Sequence, residues 1–144
     1  MKNNRLAIVG VPSSAGAYSP GQEKAPDALR HAGLISFLEE EGVFVKDKKN
    51  VSGYRWKVDK ENKHAMNVDQ VHSVAKEVAG KVLESIKENN KVLVLGGDCT
   101  IELGVVAGCL ELSENIGLLY IDLDTDLNTP TSLEDEGLDW MGLG

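Results

Sequence analysis

The sequence contains 144 residues, of which 42% are hydrophobic and 26% carry a charge. This length fits one domain, which we expect to span residues 1–144, and the composition excludes a globally disordered chain. The formal net charge of −8 argues against a nucleic-acid partner. No apolar run approaches the roughly 20 residues that a membrane-spanning helix needs, so we expect no membrane partner.

The charge is distributed unevenly along the chain. All 15 Lys and Arg residues lie at or before Lys91, together with 12 acidic residues, which gives +3 for that part. The remaining 11 acidic residues follow Lys91 without any Lys or Arg, which gives −11. The sequence therefore predicts a concentration of carboxylates toward its C-terminal end.

The two cysteines, Cys99 and Cys109, are expected to be reduced. If both lie on the helix predicted there, about 15 Å separates them along its axis, whereas a disulfide needs Cα atoms within about 7 Å. The first residues also lack the apolar core of a signal peptide. Both observations favour the cytoplasm.

The first half of the chain alternates between strand and helix signals. Residues 6–9 form a short apolar run that ends at Gly10, which is typical of a buried strand. A loop rich in Gly, Ser and Pro follows over residues 11–22. Pro26 suits the first turn of a helix that should end at Gly33, and a second short helix is expected over residues 34–40. Residues 43–45 resemble a second strand, and the polar stretch 46–66 is interpreted as a loop or an irregular strand pair at the sheet edge.

The second half contains the clearest helix signal. A helix beginning near residue 68 has one apolar face, made of Val68, Val71, Ala75, Val78, Ala79, Val82 and Ile86. Asn67 and Gln70 suggest an N-cap and a capping box. A third strand over residues 92–95, a helix over 100–110 and a fourth strand over 116–121 complete the pattern. Strands buried on both faces and alternating with helices predict a three-layer α/β/α fold with a parallel sheet.

Polar residues follow the third and fourth predicted strands, where open parallel sheets bind ligands. Asp122, Asp124 and Asp126 would point to one side of an extended chain. Carboxylates about 4 Å apart repel each other, so a cluster favours a hard cation such as Mn²⁺, Mg²⁺ or Ca²⁺, or protonation of one member. Alternatively, the acidic residues only form turns, with Asp98 capping the next helix and Cys99 buried in the core.

The motifs as a set resemble the arginase/agmatinase (ureohydrolase) family, which includes formiminoglutamases. Residues 8–12 with Gly21, Pro26 and residues 29–34 resemble the opening strand, loop and helix of that family. Residues 95–99, Leu-Gly-Gly-Asp-Cys, resemble its G-G-D-H motif. Residues 122–130, Asp-Leu-Asp-Thr-Asp-Leu-Asn-Thr-Pro, resemble its D-A-H-x-D-x-N-T-P motif, and residues 138–141 lie at the spacing of its H-G-M segment.

The resemblance implies a fold, a cofactor and an activity. It implies an arginase-like sheet, of which this chain resembles the N-terminal part, and a binuclear Mn²⁺ site. The implied reaction is hydrolysis of the C–N bond of a small guanidino or amidino substrate by a metal-activated hydroxide. Cys99, Asp122, Asp124 and Asp126 would bind metal, with Cys99 and Asp124 at positions where the family has histidine.

The resemblance also assigns residues near the substrate. Asn128 matches a substrate-contacting position. Asp139 stands where the family has a histidine near the substrate, and we count Asp124 and Asp139 as candidate catalytic residues. The acidic residues 134–136 lie where arginases hold the substrate's carboxylate, so we expect a substrate without an anionic far end.

The short length leads to further expectations. The later metal ligands and the substrate-binding Glu of the family belong to a C-terminal half that this sequence lacks. We therefore expect a fragment of a longer protein that is inactive by itself. The alternatives are a non-catalytic relative that acts in assembly or ligand binding, and a homo-oligomer that pairs through exposed sheet edges.

Overall fold

The computed structural model describes residues 4–129, 131–132 and 137–143. Its three strands are β1 (Arg5–Gly10), β2 (Phe44–Asn50) and β3 (Lys91–Leu95). Its four α-helices are α1 (Ala25–His31), α2 (Leu34–Glu40), α3 (Val68–Lys87) and α4 (Ile101–Leu110). Two short 3-10 helices span Gln22–Lys24 and Leu138–Met141. The predicted alternation of strands and helices is confirmed through α4.

The sheet is parallel and has the strand order β2-β1-β3. Arg5 aligns with Phe44 and Leu6 with Lys91, and the register with β2 shifts between Ile8 and Gly10. β2 extends to Asn50, five residues beyond the predicted end, because main-chain pairing with β1 continues through the polar residues of this edge strand. Part of the predicted loop over 46–66 is therefore strand.

Helices cover both faces of the sheet, as the three-layer prediction requires. Val9 of β1 packs in the core with Val74, Val78 and Val82 of α3. The neighbouring Gly10 faces the other way, toward α1, because a Cβ there would lie 2.7 Å from an Arg30 guanidinium nitrogen. Adjacent residues of a strand point to opposite faces, so α1 and α3 lie on opposite sides of β1.

The start of α3 differs from the prediction. Asn67 precedes the helix, but it has φ of 57° and its side chain makes no capping hydrogen bond. Instead its amide donates to the Ala15 carbonyl oxygen at 3.1 Å and its Oδ1 accepts from the Tyr54 hydroxyl at 3.1 Å. The predicted capping box is therefore wrong, because these distant partners compete successfully for the Asn67 side chain.

The predicted fourth strand is also wrong. Residues 116–121 have no strand pairing in the described structure, and Leu119 and Ile121 are 84% and 86% exposed. A strand needs a neighbouring strand to satisfy its main-chain hydrogen-bonding groups. The nearest strand in sequence, β3, pairs with β1 in the described structure and not with residues 116–121. An apolar sequence pattern alone does not supply that neighbour.

The loop after β1 is the most buried loop in the described part of the chain. Ser13, Ser14, Ala15 and Ala17 are all almost inaccessible. The Ser14 N–H donates to the Tyr54 carbonyl oxygen at 2.9 Å, and the Asp98 N–H donates to the Ser13 carbonyl oxygen at 3.1 Å. Main-chain hydrogen bonds to two other segments thus satisfy a loop that solvent does not reach.

Neither cysteine forms a disulfide, as predicted. None of the described helices has the length and apolar character needed to cross a membrane.

Candidate metal centre

The loop after β3 is held tightly against the loop after β1. A side chain at Gly97 would collide with the Ser13 carbonyl oxygen and lie 2.8 Å from the Val11 carbonyl oxygen. Glycine is therefore required by this close approach of two backbones. The approach brings Asp98 and Cys99 to the edge of the sheet where β1 and β3 end.

Asp98 acts as a structural link in this loop. Only 2% of the residue is exposed, and its carboxylate accepts hydrogen bonds from the Gly16 N–H at 3.0 Å, the Thr100 N–H at 3.0 Å and the Thr100 hydroxyl. Burial raises the pKa of the Asp98 carboxyl, against the opposing effect of these hydrogen bonds. The alternative that Asp98 caps the next helix is wrong, because Thr100 is the N-cap residue of α4 and no side chain makes a capping hydrogen bond there.

Cys99, Asp122 and Asp126 converge at this edge. One ligand atom from each lies within 4.8 Å of the others. Cys99 is half-buried, Asp122 is exposed and Asp126 is 4% exposed. Burial, followed by the charges of Asp126 and Asp122, raises the pKa of the Cys99 thiol to about 11.

Asp124 does not join this group of ligand atoms, although it lines the same pocket. The prediction that three aspartates share one side assumed an extended chain. The chain instead bends at Leu123 and Asp124, and Asp126 adopts φ of 47°, a left-handed conformation that Asp tolerates better than most residues. These turns bring Asp126 back toward Asp122 and leave Asp124 exposed.

Tyr120 contacts both converging carboxylates, and the sequence analysis missed it. Its hydroxyl donates to Asp126 Oδ2 and lies 3.5 Å from Asp122 Oδ2. The Asp126 carboxylate raises the pKa of the Tyr120 phenol. The available signal was the position of this phenol two residues before Asp122 and therefore on the same side of an extended segment.

Asp139 is buried beside the same site. It is 9% exposed, its N–H donates to the Gly16 carbonyl oxygen at 3.0 Å, and its buried Oδ1 has no hydrogen-bond partner among the described residues. Burial, followed by the charge of Asp98, raises the pKa of the Asp139 carboxyl to about 6. Gly16 thus links the two residues: its N–H donates to the Asp98 carboxylate and its carbonyl oxygen accepts from the Asp139 N–H.

A pocket of about 220 Å³ collects most of these groups. Its walls are Tyr18, Gln22, Cys99, Asp122, Asp124, Asp126, Asp139 and Trp140. The sequence analysis missed Tyr18, Gln22 and Trp140, because their approach to the acidic residues is set by the folding of distant loops. Five of the six candidate site residues therefore share one pocket.

Asn128, the sixth candidate, is not among the residues that line this pocket. Its N–H donates to the Trp140 carbonyl oxygen at 3.3 Å, and its Oδ1 accepts from the Ser132 hydroxyl at 3.3 Å. Both contacts stabilise the surrounding loop. Residues 134–136, which led to the expectation about an anionic substrate end, lie outside the described residues.

The donor set fits one divalent cation better than two. Asp122 and Asp126 offer the carboxylate oxygens that hard cations prefer, and Cys99 adds a softer sulfur donor. Asp139 also lines this pocket, but its unpartnered Oδ1 is closed off from solvent and lies close to Gly137. Within the described residues, Cys99, Asp122 and Asp126 are the one group of three His, Cys, Asp or Glu side chains whose ligand atoms lie within 4.8 Å of one another.

Comparison with known proteins identifies the fold that carries this site. A family model described as the arginase family matches residues 4–138. The chain belongs to the arginase family. It is 34% identical to human arginase-1 over 130 residues, and 34% identical to an arginase of Staphylococcus aureus strain COL over 132 residues.

Solved arginases share this fold. The arginase of Bacillus cereus has a TM-score of 0.85 at 34% identity, and the match covers 96% of this chain and 46% of that one. An Entamoeba histolytica arginase in complex with L-ornithine has a TM-score of 0.86 at 26% identity and covers 99% of this chain and 49% of the other.

The match covers only part of the length of each relative. It covers 90% of this chain but only 40% of human arginase-1 and 44% of the Staphylococcus aureus enzyme. The chain thus spans less than half the length of these relatives and corresponds to the N-terminal part of the solved structures. The arginase-like, N-terminal fold expected from the motifs is confirmed.

Proposed function

We propose that this chain carries part of the site of a metal-dependent hydrolase of linear amidines, which cleaves guanidino or amidino C–N bonds. One observation carries the proposal: Cys99, Asp122 and Asp126 converge at the sheet edge of an arginase-family fold. A divalent cation bound there would supply activation of water and polarisation of the substrate. Mn²⁺ is the cation that the family resemblance implies, and the carboxylates of Asp122 and Asp126 suit it.

The remaining pocket residues support a cationic substrate. With one divalent cation balanced by Asp122 and Asp126, the Asp124 and Asp139 carboxyls still give the pocket negative potential. The exposed carboxylate of Asp124 can accept a hydrogen bond from an N–H group of the substrate, and charge-assisted hydrogen bonds of this kind are strong. Tyr18 and Trp140 add aromatic walls that suit a planar cation. We therefore assign Asp124 and Asp139 to substrate binding and orientation, and Asn128 to support of the loop.

We propose that the chain alone does not turn over substrate. Only one group of three metal-binding side chains is present in the described residues, whereas the family resemblance implies a pair of ions. The proposed compartment is the cytoplasm, which agrees with two free cysteines.

The test is release of urea or ammonia from agmatine, guanidinobutyrate, arginine and formiminoglutamate. The assay should use both this chain and the longest polypeptide that its gene encodes, with and without Mn²⁺. We expect cation-dependent release from the longer polypeptide that is lost in Asp126→Asn and retained in Asp69→Asn, a control at an exposed position of α3 outside the pocket. Absence of release from all four compounds with any divalent cation would reject the hydrolase proposal.

A second candidate is a non-catalytic role in assembly, and a specific surface favours it. An apolar groove of about 550 Å³ runs beside β3 and α4, with Leu118 at its margin. Nearby in sequence, Leu119, Ile121 and Leu123 are largely exposed. Exposed apolar segments beside an edge strand favour pairing with another chain, so we propose a homo-oligomer that buries residues 116–121.

Light scattering tests this candidate. We expect an oligomer that Leu119→Lys converts to a monomer, while Val58→Lys, at a distant position that is also exposed, leaves the oligomer intact. A monodisperse monomer of the unchanged chain would reject assembly. Activity that arises only after histidine replaces Cys99, Asp124 and Asp139 together would favour the non-catalytic role over the hydrolase.

A further inference from the structure

The ligand atoms at the sheet edge are chemically mixed. Asp122 and Asp126 contribute hard carboxylate oxygens, whereas Cys99 contributes a sulfur, and the three atoms lie within 4.8 Å of one another. Two donors on one tetrahedral ion with sulfur and oxygen ligands lie about 3.5 Å apart. Asp122 is exposed and so can move the remaining distance without disturbing the core.

A second, independent observation indicates that this pocket takes a ligand. Asp139 is nine-tenths buried and lines the same pocket, and its Oδ1 has no hydrogen-bond partner in the described structure. Burial of an unpaired carboxyl oxygen is unfavourable unless a cation, a water or a donor from a ligand satisfies it. The cluster is thus more than a set of exposed acidic residues.

The sulfur atom changes which cation suits the cluster. Thiolate is a soft ligand that Mn²⁺ binds poorly, whereas Zn²⁺ and Co²⁺ accept sulfur and oxygen donors together. The charge of the site does not discriminate among these ions, because all of them are divalent. Every candidate ion would bind the same two carboxylates. A preference for one divalent cation over another must therefore come from the sulfur of Cys99.

We propose that Cys99, Asp122 and Asp126 form a single-ion site that binds Zn²⁺ or Co²⁺ in preference to the Mn²⁺ implied by the family. The inference rests on the proposed function only for the location of the site. Tyr120, which donates to Asp126 and approaches Asp122, yields those oxygens to the cation when it binds.

Cobalt spectroscopy tests the proposal without any assay of turnover. Titration of the chain with Co²⁺ should give one ion per chain and a near-ultraviolet absorption band from charge transfer between thiolate and cobalt. The two cysteines provide a matched pair of variants: Cys99→Ser should abolish the band, and Cys109→Ser should retain it. Cys109 lines the apolar groove and not the metal pocket.

Competition with Zn²⁺ and Mn²⁺ then measures the preference. Most protein sites bind Zn²⁺ more tightly than Mn²⁺, so the informative quantity is the dependence of the Zn²⁺/Mn²⁺ affinity ratio on residue 99. We expect this ratio to fall by about 100-fold in Cys99→Ser and to be unchanged in Cys109→Ser.

Three results would overturn the proposal: a charge-transfer band that survives in Cys99→Ser, no band in the unchanged chain, or the same Zn²⁺/Mn²⁺ ratio in both serine variants. Circular dichroism of each variant excludes loss of folding as the cause. Failure of the hydrolase proposal leaves these readouts unaffected, because they report ion binding. Conversely, failure of these ion-binding readouts together with urea release by the longer polypeptide would reject the ion preference and leave the hydrolase proposal standing.

Discussion

The Tyr120 hydroxyl donates a hydrogen bond to the carboxylate of Asp126, six residues later in the same loop. The same hydroxyl lies 3.5 Å from Asp122 Oδ2. One phenol therefore contacts both of the carboxylates that converge at this site. Ion binding and this hydrogen bond therefore compete for Oδ2 of Asp126.

Replacement of Tyr120 by Phe should strengthen ion binding. The variant removes the competing donor, and a hydrogen bond to a charged group contributes about 1.5–3 kcal/mol, so we expect Zn²⁺ affinity to rise by about tenfold. Titration against a chromophoric chelator measures it. Tyr18→Phe is the matched control, because Tyr18 lines the same pocket and is largely exposed. Weaker binding by Tyr120→Phe would mean that the phenol orients the carboxylates for the ion.

Asp139 should make the metal-free protein less stable as the pH rises. Its folded-state pKa is about 6, against an ordinary value of 3.8, so the folded state retains the proton longer than the unfolded state. Its stabilising contribution is complete below about pH 4 and is lost as the pH rises through about 6. After allowance for solvent screening, we expect a loss of about 1 kcal/mol in the free energy of unfolding.

Urea denaturation at pH 4 and pH 7 in the presence of a chelator measures this effect. Other carboxyls titrate over the same range, so the informative quantity is the difference between the unchanged chain and Asp139→Asn. Relative to Asp139→Asn, the unchanged chain should lose about 1 kcal/mol in the free energy of unfolding between pH 4 and pH 7. Identical slopes for the two proteins would contradict the raised pKa of Asp139.

Loss of the Asp98 carboxylate should destabilise the fold. Asp98→Ala leaves the buried Gly16 and Thr100 N–H groups without their acceptor, which costs about 2–4 kcal/mol. Thermal or chemical denaturation checks the loss. Asp124→Ala removes the same charge from an exposed position and should change stability by less than about 0.5 kcal/mol. Equal effects of the two substitutions would show that net charge, rather than the buried hydrogen bonds, is responsible.

The contact between α3 and α4 depends on glycine. A Cβ at Gly104 would lie 2.6 Å from the Ala75 carbonyl oxygen and 2.7 Å from Val78 Cβ. Gly104→Ala should therefore destabilise the protein by about 1–3 kcal/mol through overpacking. In contrast, a Cβ at Gly80 in α3 meets nothing within 4 Å.

Gly80→Ala provides the matched control for the helix contact. It should stabilise the protein by up to about 1 kcal/mol, because alanine is the better helix former. Melting temperatures of the two variants should shift in opposite directions. A stabilising effect of Gly104→Ala would mean that the two helices separate easily.

The sequence predicted the elements whose signal is local. The apolar face of α3 follows from its periodicity, and Val71, Val78 and Val82 are buried as expected. Residues 116–121 have an equally apolar pattern, yet they form no strand, because pairing requires a neighbour that a pattern does not report. The capping role expected of Asn67 failed for a related reason, since Ala15 and Tyr54 are distant in sequence.

The site was predicted in part. The motifs identified Cys99, Asp122 and Asp126, whose side chains converge. The link from Gly16 to Asp139 could not be predicted, because it depends on how the loop after β1 meets the final 3-10 helix. Asp124 lies outside the cluster because the chain bends at this residue, whereas the prediction assumed an extended segment.

The buried loop after β1 has a consequence for how this site can change. Ser13, Ser14 and Gly16 hold the neighbouring segments mostly through main-chain hydrogen bonds, and none of these bonds involves the side chain of residue 99, 122 or 126. A new side chain at these three positions therefore leaves the supporting framework in place. The framework can accept a different set of metal ligands by point substitution, so its chemistry can diverge while its architecture persists.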